Sequence, residues 1–160
     1  MKGARLAASR PAEPEAEPEV DYQGLAELRH QIRRFLTFSE SQARAAGIEP
    51  QQHQLLLAVK GLPEGLRPTI GVLAARLMLR HHTVVGLVDR LVAAQLATRR
   101  PGDTDRREIL VQVTARAEKL LRQLSIAHQA ELQVVGPALV DALEPVFSRT
   151  RKSTGSRSPS

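Results

Sequence analysis

The chain has 160 residues, enough for one domain with tails, and its 23 Lys and Arg against 17 Asp and Glu give a net charge of +6 at pH 7. The basic surplus favours a polyanionic partner. The absence of cysteine excludes disulfides, cysteine zinc ligands and thiol redox sensing by this chain. No apolar run reaches the roughly 18 residues of a membrane span or resembles a signal peptide, so we expect a cytoplasmic protein without a membrane partner.

The two ends of the chain have compositions that do not build a core. Residues 1–20 include a stretch, 11–19, in which proline alternates with glutamate, and we expect an extended, disordered tail over 1–20. Residues 148–160 are rich in serine and arginine, and we expect a second disordered tail, either solubilising or adding non-specific attraction to nucleic acid. One folded domain is therefore expected over residues 21–147.

Apolar residues at helical spacing predict a first helix over about 22–46. Its apolar positions are Leu25, Leu28, Ile32, Phe35 and Leu36. Gly47 would end this helix in the C′ position, and Pro50 suits the first turn of a second helix, which Gly61 closes. Two successive helices are therefore expected at the start of the domain.

A short third helix and a tightly connected fourth helix are predicted next. Thr69 suits the N-cap of the third helix, over residues 70–77. The fourth helix begins near His81 or His82, and its apolar residues recur at i, i+3, i+4 and i+7. These apolar residues are Val84, Leu87, Val88 and Leu91. The fourth helix is therefore expected to bury one face and expose the other.

Beyond the fourth helix the period of the sequence changes from helix to strand. Residues 109–113 alternate as a β-strand, and residues 97–100 are expected to pair with it across a turn rich in Pro, Gly and Asp. Thr114 suits the N-cap of a long helix, which Gly136-Pro137 should break or kink before a last amphipathic helix. The predicted fold class is therefore mainly α with a small β-hairpin: four helices, the hairpin and two further helices.

Two short helices joined tightly and followed by a hairpin form the plan of a winged helix–turn–helix. In that plan the second helix lies in the major groove of double-stranded DNA and presents its N-terminal residues to base edges. The outer residues of the fourth helix are His81, His82, Val85, Gly86 and Asp89. Gly86 lowers the stability of the helix by about 1 kcal/mol relative to alanine. Close approach to DNA or to a neighbouring helix would explain a glycine at this position. The two histidines are either DNA contacts or a solvated helix start.

Four arginines surround the turn of the hairpin. Arg99 and Arg100 precede the turn, and Arg106 and Arg107 follow it. A thin hairpin can place an arginine in the narrow minor groove, where the negative potential is enhanced. Aspartates between the arginines make sense if one of them holds an arginine by a charge-assisted pair. The competing interpretation is an ordinary solvated hairpin.

Two stretches of the sequence resemble the MarR family of bacterial transcription factors, one its recognition helix and the other its wing. The matching residues are Thr83–Leu91, Leu96, Arg99, Arg100, Asp105-Arg106-Arg107 and Val113-Thr114, with Leu73–Leu77 as the preceding helix. The resemblance covers roughly residues 22–147. It departs from the family's pattern at Gln95, which stands where glycine is usual.

The resemblance implies a homodimer that reads DNA through a unit over about 50–114, with dimerisation helices over about 22–46 and 114–147. It also implies that Arg106 is the wing-tip arginine and that Asp105 braces the wing with Arg107. The residues expected at the major groove or its flanking phosphates are Arg80, His81, His82, Thr83 and Val85.

Histidines on three predicted helices raise the question of a ligand or metal site. His30, His53 and His128 could converge on such a site. However, no H-x-x-x-H spacing is present, and partly exposed helix histidines are the more ordinary interpretation. We expect no metal and no cofactor. His30, Arg33, Arg34 and His53 are candidate ligands of an anionic effector, as the resemblance suggests, or part of a solvated face.

The sequence therefore predicts a dimeric DNA-binding transcriptional regulator, usually a repressor in this family, that a phenolic or anionic small molecule releases from DNA. A constitutive or architectural DNA-binding protein without a ligand is the main alternative, and a protein–protein adaptor is a weaker one. An enzyme is not expected, because no nucleophile–base pair and no paired carboxylates have the spacing of an active site.

Overall fold

The computed structural model of the chain describes residues 20–102 and 105–154, and leaves aside the side chains of Val146 and residues 148–154. The predicted N-terminal tail, apart from Val20, and residues 155–160 lie outside the described residues. In the part of the chain that is described, the order is four helices, a hairpin and one long helix. The bounds are α1 Tyr22–Ala45, α2 Pro50–Lys60, α3 Ile70–Leu77, α4 His81–Ala93, β1 Ala97–Pro101, β2 Ile109–Val113 and α5 Ala115–Thr154.

An aliphatic core joins α2, α3, α4, the hairpin and the start of α5, as the composition predicts. Its largest fully buried residues include Leu55, Leu56, Leu73, Val84, Leu87, Val88, Leu91 and Val111. Burial of each such side chain contributes about 1.5–3 kcal/mol relative to exposure. All four predicted apolar residues of α4 are among them, so the rotation of α4 about its own axis is fixed by packing.

The helix ends follow signals that are local in the sequence. Thr69 Oγ1 accepts a hydrogen bond from the Val72 amide at 3.2 Å, and Thr114 Oγ1 accepts one from the Ala117 amide at 3.2 Å. Gly47 has a φ of +81° after α1, which is the left-handed C′ conformation. The two predicted N-caps and the predicted C′ glycine are confirmed.

The hairpin is attached to the segment that precedes α3. β1 and β2 pair in an antiparallel register that places Ala97 opposite Val113. On the other edge of β2, the Val111 amide donates to the Pro68 carbonyl at 2.9 Å, and Thr69 forms an isolated bridge. Both edges of β2 are therefore paired, and the position of the hairpin is tied to the residue that caps α3.

The last helix differs from the prediction. The break expected at Gly136-Pro137 is absent: α5 is one helix that contains Pro137 and Pro145 and runs past residue 147 to Thr154. Pro137 cannot donate the hydrogen bond of an ordinary helical residue. The helix continues because α1 packs alongside α5, and Val135 and Ala142, on either side of Pro137, are buried. Tertiary packing therefore overrides the local signal.

Gln95, the departure from the family pattern, ends α4 in a conformation that favours glycine. Its φ is +57°, its amide donates to the Val92 carbonyl at 3.0 Å, and the Leu96 amide donates to the Leu91 carbonyl at 2.8 Å. These two bonds form a Schellman motif with Gln95 at C′. A side chain in this left-handed region is strained by about 1–2 kcal/mol.

We expect Gln95→Gly to raise the free energy of unfolding by about 0.5–1 kcal/mol, because glycine relieves this strain at some cost in unfolded-state entropy. Gly47→Ala is the matched opposite change: a Cβ there meets nothing within 4 Å, so the expected loss of about 1 kcal/mol comes from the backbone alone. Urea denaturation of the two variants measures both values. A loss of stability in Gln95→Gly would show that the glutamine side chain stabilises this turn.

Candidate nucleic-acid interface

The N-terminal end of α4 is exposed and carries basic side chains. Arg80 is the N-cap residue, and its carbonyl accepts from the amides of Thr83 at 3.0 Å and Val84 at 3.2 Å. The side chains of Arg80, His81 and His82 are exposed. A helix N-terminus has unpaired amide groups and a partial positive charge, so this end favours contact with an anion.

The outer face of α4 follows from the burial of its inner face. His82 and Asp89 are exposed, and Val85 and Gly86 are half-buried on the same side. A Cβ on Gly86 would meet only the Arg90 guanidinium, at 3.6 Å. No neighbouring helix in the described chain therefore accounts for this glycine, and of the two explanations given for it, close approach to DNA stays a prediction.

Asp89 links the outer face of α4 to the hairpin. Its Oδ1 accepts from Arg99 Nη2 on β1 at 2.6 Å. Asp89 thus joins α4 to the wing. Arg99 is held against α4 by this contact, while Arg100, next along the strand, is half-buried.

The arginines beyond the turn are the accessible ones. Arg106 is exposed, and the Arg107 side chain keeps 94% of its surface open to solvent. Asp105 Oδ1 accepts from the Arg107 amide at 2.9 Å and from its Nε at 3.4 Å. The structure therefore pairs Asp105 with Arg107 and leaves the side chain of Arg106 pointing to solvent at the tip. The four arginines of the hairpin, Arg99, Arg100, Arg106 and Arg107, and the start of α4 remain predicted DNA contacts.

The four predicted effector ligands do not form one site. His30, Arg33 and Arg34 are exposed on α1, and Arg34 Nη2 lies 3.9 Å from Glu131 Oε1 on α5. His53 on α2 is instead buried. These positions favour the solvated-face interpretation for the α1 residues.

Two of the three histidines do converge, and they are buried. The rings of His53 and His128 stack with centroids 5.0 Å apart and an interplanar angle of 21°. His128 Nδ1 donates to the Leu124 carbonyl, and its Nε2 is hydrogen-bonded to the Ser39 hydroxyl at 2.7 Å. The expectation of partly exposed histidines is therefore wrong for this pair, which joins α1, α2 and α5.

The surroundings of the histidine pair are apolar. The edges of Phe35 and Phe38 on α1 lie against His128, with ring centroids 5.9 and 5.8 Å away. Burial, and then the charge of His128, lower the pKa of His53 below its ordinary value of 6.5. Among the described residues, no three His, Asp or Glu side chains are arranged to hold a metal ion.

A groove of about 500 Å³ lies between α2 and the start of α5. Its apolar lining includes Leu57 and Leu121, and its cationic lining includes Lys60, Lys119 and Arg122. Lys60 is paired with Glu118 across the two helices. Sequence analysis missed this groove, because its residues are about 60 positions apart and their spacing along each helix resembles any solvated face.

Comparisons with known proteins agree with this geometry. Residues 46–108 match the model of the MarR family. Among solved structures, CouR of Rhodococcus jostii RHA1, bound to p-coumaroyl-CoA, matches with TM-score 0.63 and 21% identity over 88% of this chain and 96% of that one. AbsC of Streptomyces coelicolor, a MarR family transcriptional regulator, matches with TM-score 0.60 and 20% identity over 84% and 97%.

BpsR of Bordetella bronchiseptica, whose DNA binding is regulated by 6-hydroxynicotinic acid, matches with TM-score 0.58 and 19% identity over 91% and 100%. No curated protein sequence matches the chain. None of the described helices has both the length and the apolar character to cross a bilayer. The predicted resemblance and the winged helix fold are confirmed.

The buried histidine pair predicts that stability falls as the pH is lowered. The pKa of His53 is lower in the folded protein, so below pH 6.5 the unfolded chain binds a proton that the folded chain does not. The free energy of unfolding should therefore be greatest above pH 6.5 and decrease as the pH falls through 6.5 towards the lowered value. Urea denaturation between pH 7.5 and 5.5 (roughly one unit on either side of a free histidine) measures this slope.

The variant His53→Phe keeps an aromatic ring in the stack and removes the titrating group, so we expect a flatter pH dependence. His30→Gln removes an exposed histidine from α1 and should leave the slope of the parent protein unchanged. An unaltered slope in His53→Phe would contradict the assignment.

Proposed function

We propose that the protein is a sequence-specific DNA-binding transcriptional regulator, because residues 46–108 match the model of the MarR family. It acts as a homodimer, most simply as a repressor that an anionic or phenolic small molecule releases from DNA. The observation that carries the proposal is the Asp89–Arg99 contact at 2.6 Å, which sets the wing beside the exposed face of α4.

The reading of DNA follows from that arrangement. With its inner face buried, α4 presents His81 and His82 at its exposed, electropositive N-terminus to the major groove. The wing then lies over the adjacent backbone, where Arg106 reaches the minor groove. Phosphate contacts position the protein, and the side chains at the start of α4 supply the choice of sequence.

A second copy of the chain is proposed to cover α1 and α5. In the 24 residues of α1, only Gln31 and Ala43 are buried. Leu25, Ile32 and Leu36 on α1 each keep more than 40% of their surface exposed. On α5, the similarly exposed apolar residues include Val134, Val140 and Phe147. Apolar surface on this scale marks an interface, and a two-fold dimer would place two α4 helices on one side of a duplex.

The proposed effector is an organic anion in the groove between α2 and α5. The cationic lining of the groove includes Lys119 and Arg122, and its apolar lining suits an aromatic ring. The ligands named for two similar structures, p-coumaroyl-CoA and 6-hydroxynicotinic acid, are both acidic aromatic compounds. Because α2 belongs to the DNA-reading unit, a ligand that changes its position against α5 shifts the population of the DNA-competent dimer.

The first test is equilibrium binding of the protein to the DNA upstream of its own coding region, over a series of salt concentrations. We expect nanomolar binding with a steep negative salt slope, and binding at least about 1,000-fold weaker to scrambled DNA. Arg106→Ala should reduce the slope by about 1 per wing, or about 2 per dimer.

The control for this experiment is Arg44→Ala, which removes the same charge from the exposed last turn of α1, off the apolar face that Leu25, Ile32 and Leu36 form, and should leave the salt slope unchanged. Weak binding that is equal on both DNAs would contradict a sequence-specific regulator and favour the architectural alternative. Specific binding that no aromatic acid weakens would contradict only the effector.

The dimer is tested by the oligomeric state. Ile32→Glu places a charge in the exposed apolar face of α1 and should convert a dimer to a monomer in sedimentation equilibrium, because an unpaired buried charge costs several kcal/mol. Leu57→Glu is the matched control: Leu57 is exposed to a similar extent, 47% against 43% for Ile32, but lies on α2. A dimer that survives Ile32→Glu would place the interface elsewhere.

A further inference from the structure

An ion pair at the turn end of the wing is not explained by the folding of the hairpin. Arg67, in the loop between α2 and α3, places Nη1 2.5 Å from Glu108 Oε2, and both side chains are about one-third exposed. Glu108 lies directly before β2, and its carbonyl accepts from the Gly102 amide at 2.8 Å. The pair therefore joins the wing to a segment outside it.

Gly102 shows how closely the wing approaches this pair. A Cβ on Gly102 would lie 2.7 Å from the Asp105 carbonyl oxygen, 2.9 Å from Arg67 Nη2 and 3.0 Å from Glu108 Oε2. Since no real side chain tolerates such distances, glycine is required here by space. The turn closes directly over the ion pair, so a movement of the tip would disturb the contact between Arg67 and Glu108.

The loop that carries Arg67 is itself fixed to the helix–turn–helix. The next residue, Pro68, accepts from the Val111 amide of β2, and the one after it, Thr69, caps α3. Arg67 therefore connects the wing to the start of α3, while Arg99 connects it to α4 through Asp89. Arg99 on β1 and Glu108 directly before β2 therefore both join the hairpin to the rest of the DNA-reading unit.

We propose that Arg67 is a positioning residue for DNA binding: its pair with Glu108 across Gly102 sets the direction in which the wing-tip Arg106 reaches the DNA. The inference rests on the proposed function, because it concerns how the DNA-reading surface is oriented. Arg67 itself contacts no DNA in this assignment.

The sign of the effect of Glu108→Gln separates positioning from simple electrostatics. Removing an acidic charge next to Arg107 would strengthen binding to a polyanion if charge alone mattered. Positioning predicts the opposite, because each wing would lose its Arg106 contact with DNA. Affinity for the specific site should fall by about tenfold, and the salt slope should become less steep by about 1 per wing. Arg67→Ala should have the same effect.

Two further variants complete the test on DNA. The charge exchange Arg67→Glu with Glu108→Arg should restore affinity and slope, and Glu108→Gln should have no further effect when Arg106 is already alanine. Tighter binding in Glu108→Gln, no restoration by the exchange, or independent effects of the Glu108 and Arg106 changes would each overturn the proposal. If the parent protein binds specific DNA and these variants do not differ from it, the positioning role fails while the proposed function stands.

A measurement without DNA keeps the inference testable if the proposed function fails. Because the chain has no cysteine, Arg106→Cys and Gln54→Cys give unique sites for spin labels at the wing tip and on α2. Dilution with unlabelled protein restricts the measured distances to single chains. Glu108→Gln should broaden the distance distribution, with a nearly unchanged thermal midpoint, because a partly exposed ion pair adds little to stability. An unchanged distribution would overturn the positioning role.

Discussion

The proposed DNA-reading surface depends on one constraint, which is the burial of the inner face of α4. Val84, Leu87, Val88 and Leu91 are almost completely removed from solvent, and their spacing allows only one rotation of the helix against α2 and α3. Once that rotation is set, the direction in which the residues at the helix start and on the outer face point is also set. The buried apolar residues therefore determine which polar residues are exposed and, in the proposed function, which of them can contact DNA.

Much of this arrangement is visible in the sequence because its causes are local. The caps at Thr69 and Thr114 depend on bonds to residues three positions away, and the apolar period of α4 needs only about two turns of helix to be recognised. The hairpin is similar, since the two predicted strands, 97–100 and 109–113, agree with the bounds of β1 and β2 to within one residue. These features correspond to the helix bounds, the wing and the exposed face of α4.

The features that sequence reasoning missed are those joined by distant segments. Ser39 and His128 are 89 positions apart, and nothing in either stretch indicates that a hydroxyl and an imidazole meet in the apolar contact between α1, α2 and α5. The prediction of a break in α5 was wrong for the same reason. Gly136-Pro137 is a local signal for a break, but the packing of α5 on α1 outweighs it. Gln95 is intermediate, because the sequence shows the departure from glycine while only the backbone shows the positive φ that it must adopt.

The two parts of the reading surface are held by interactions of different stiffness. Apolar burial fixes α4 through many contacts that are lost together, at a cost of about 2–5 kcal/mol for each large side chain removed. Beyond its base, the wing is restrained by Asp89–Arg99 and Arg67–Glu108, partly exposed ion pairs of the kind that contribute about 0–1 kcal/mol each. Displacing the wing therefore costs far less than rotating α4. A rigid helix suits the fixed donor and acceptor pattern of the major groove, and an adjustable wing suits a minor groove whose width varies with sequence.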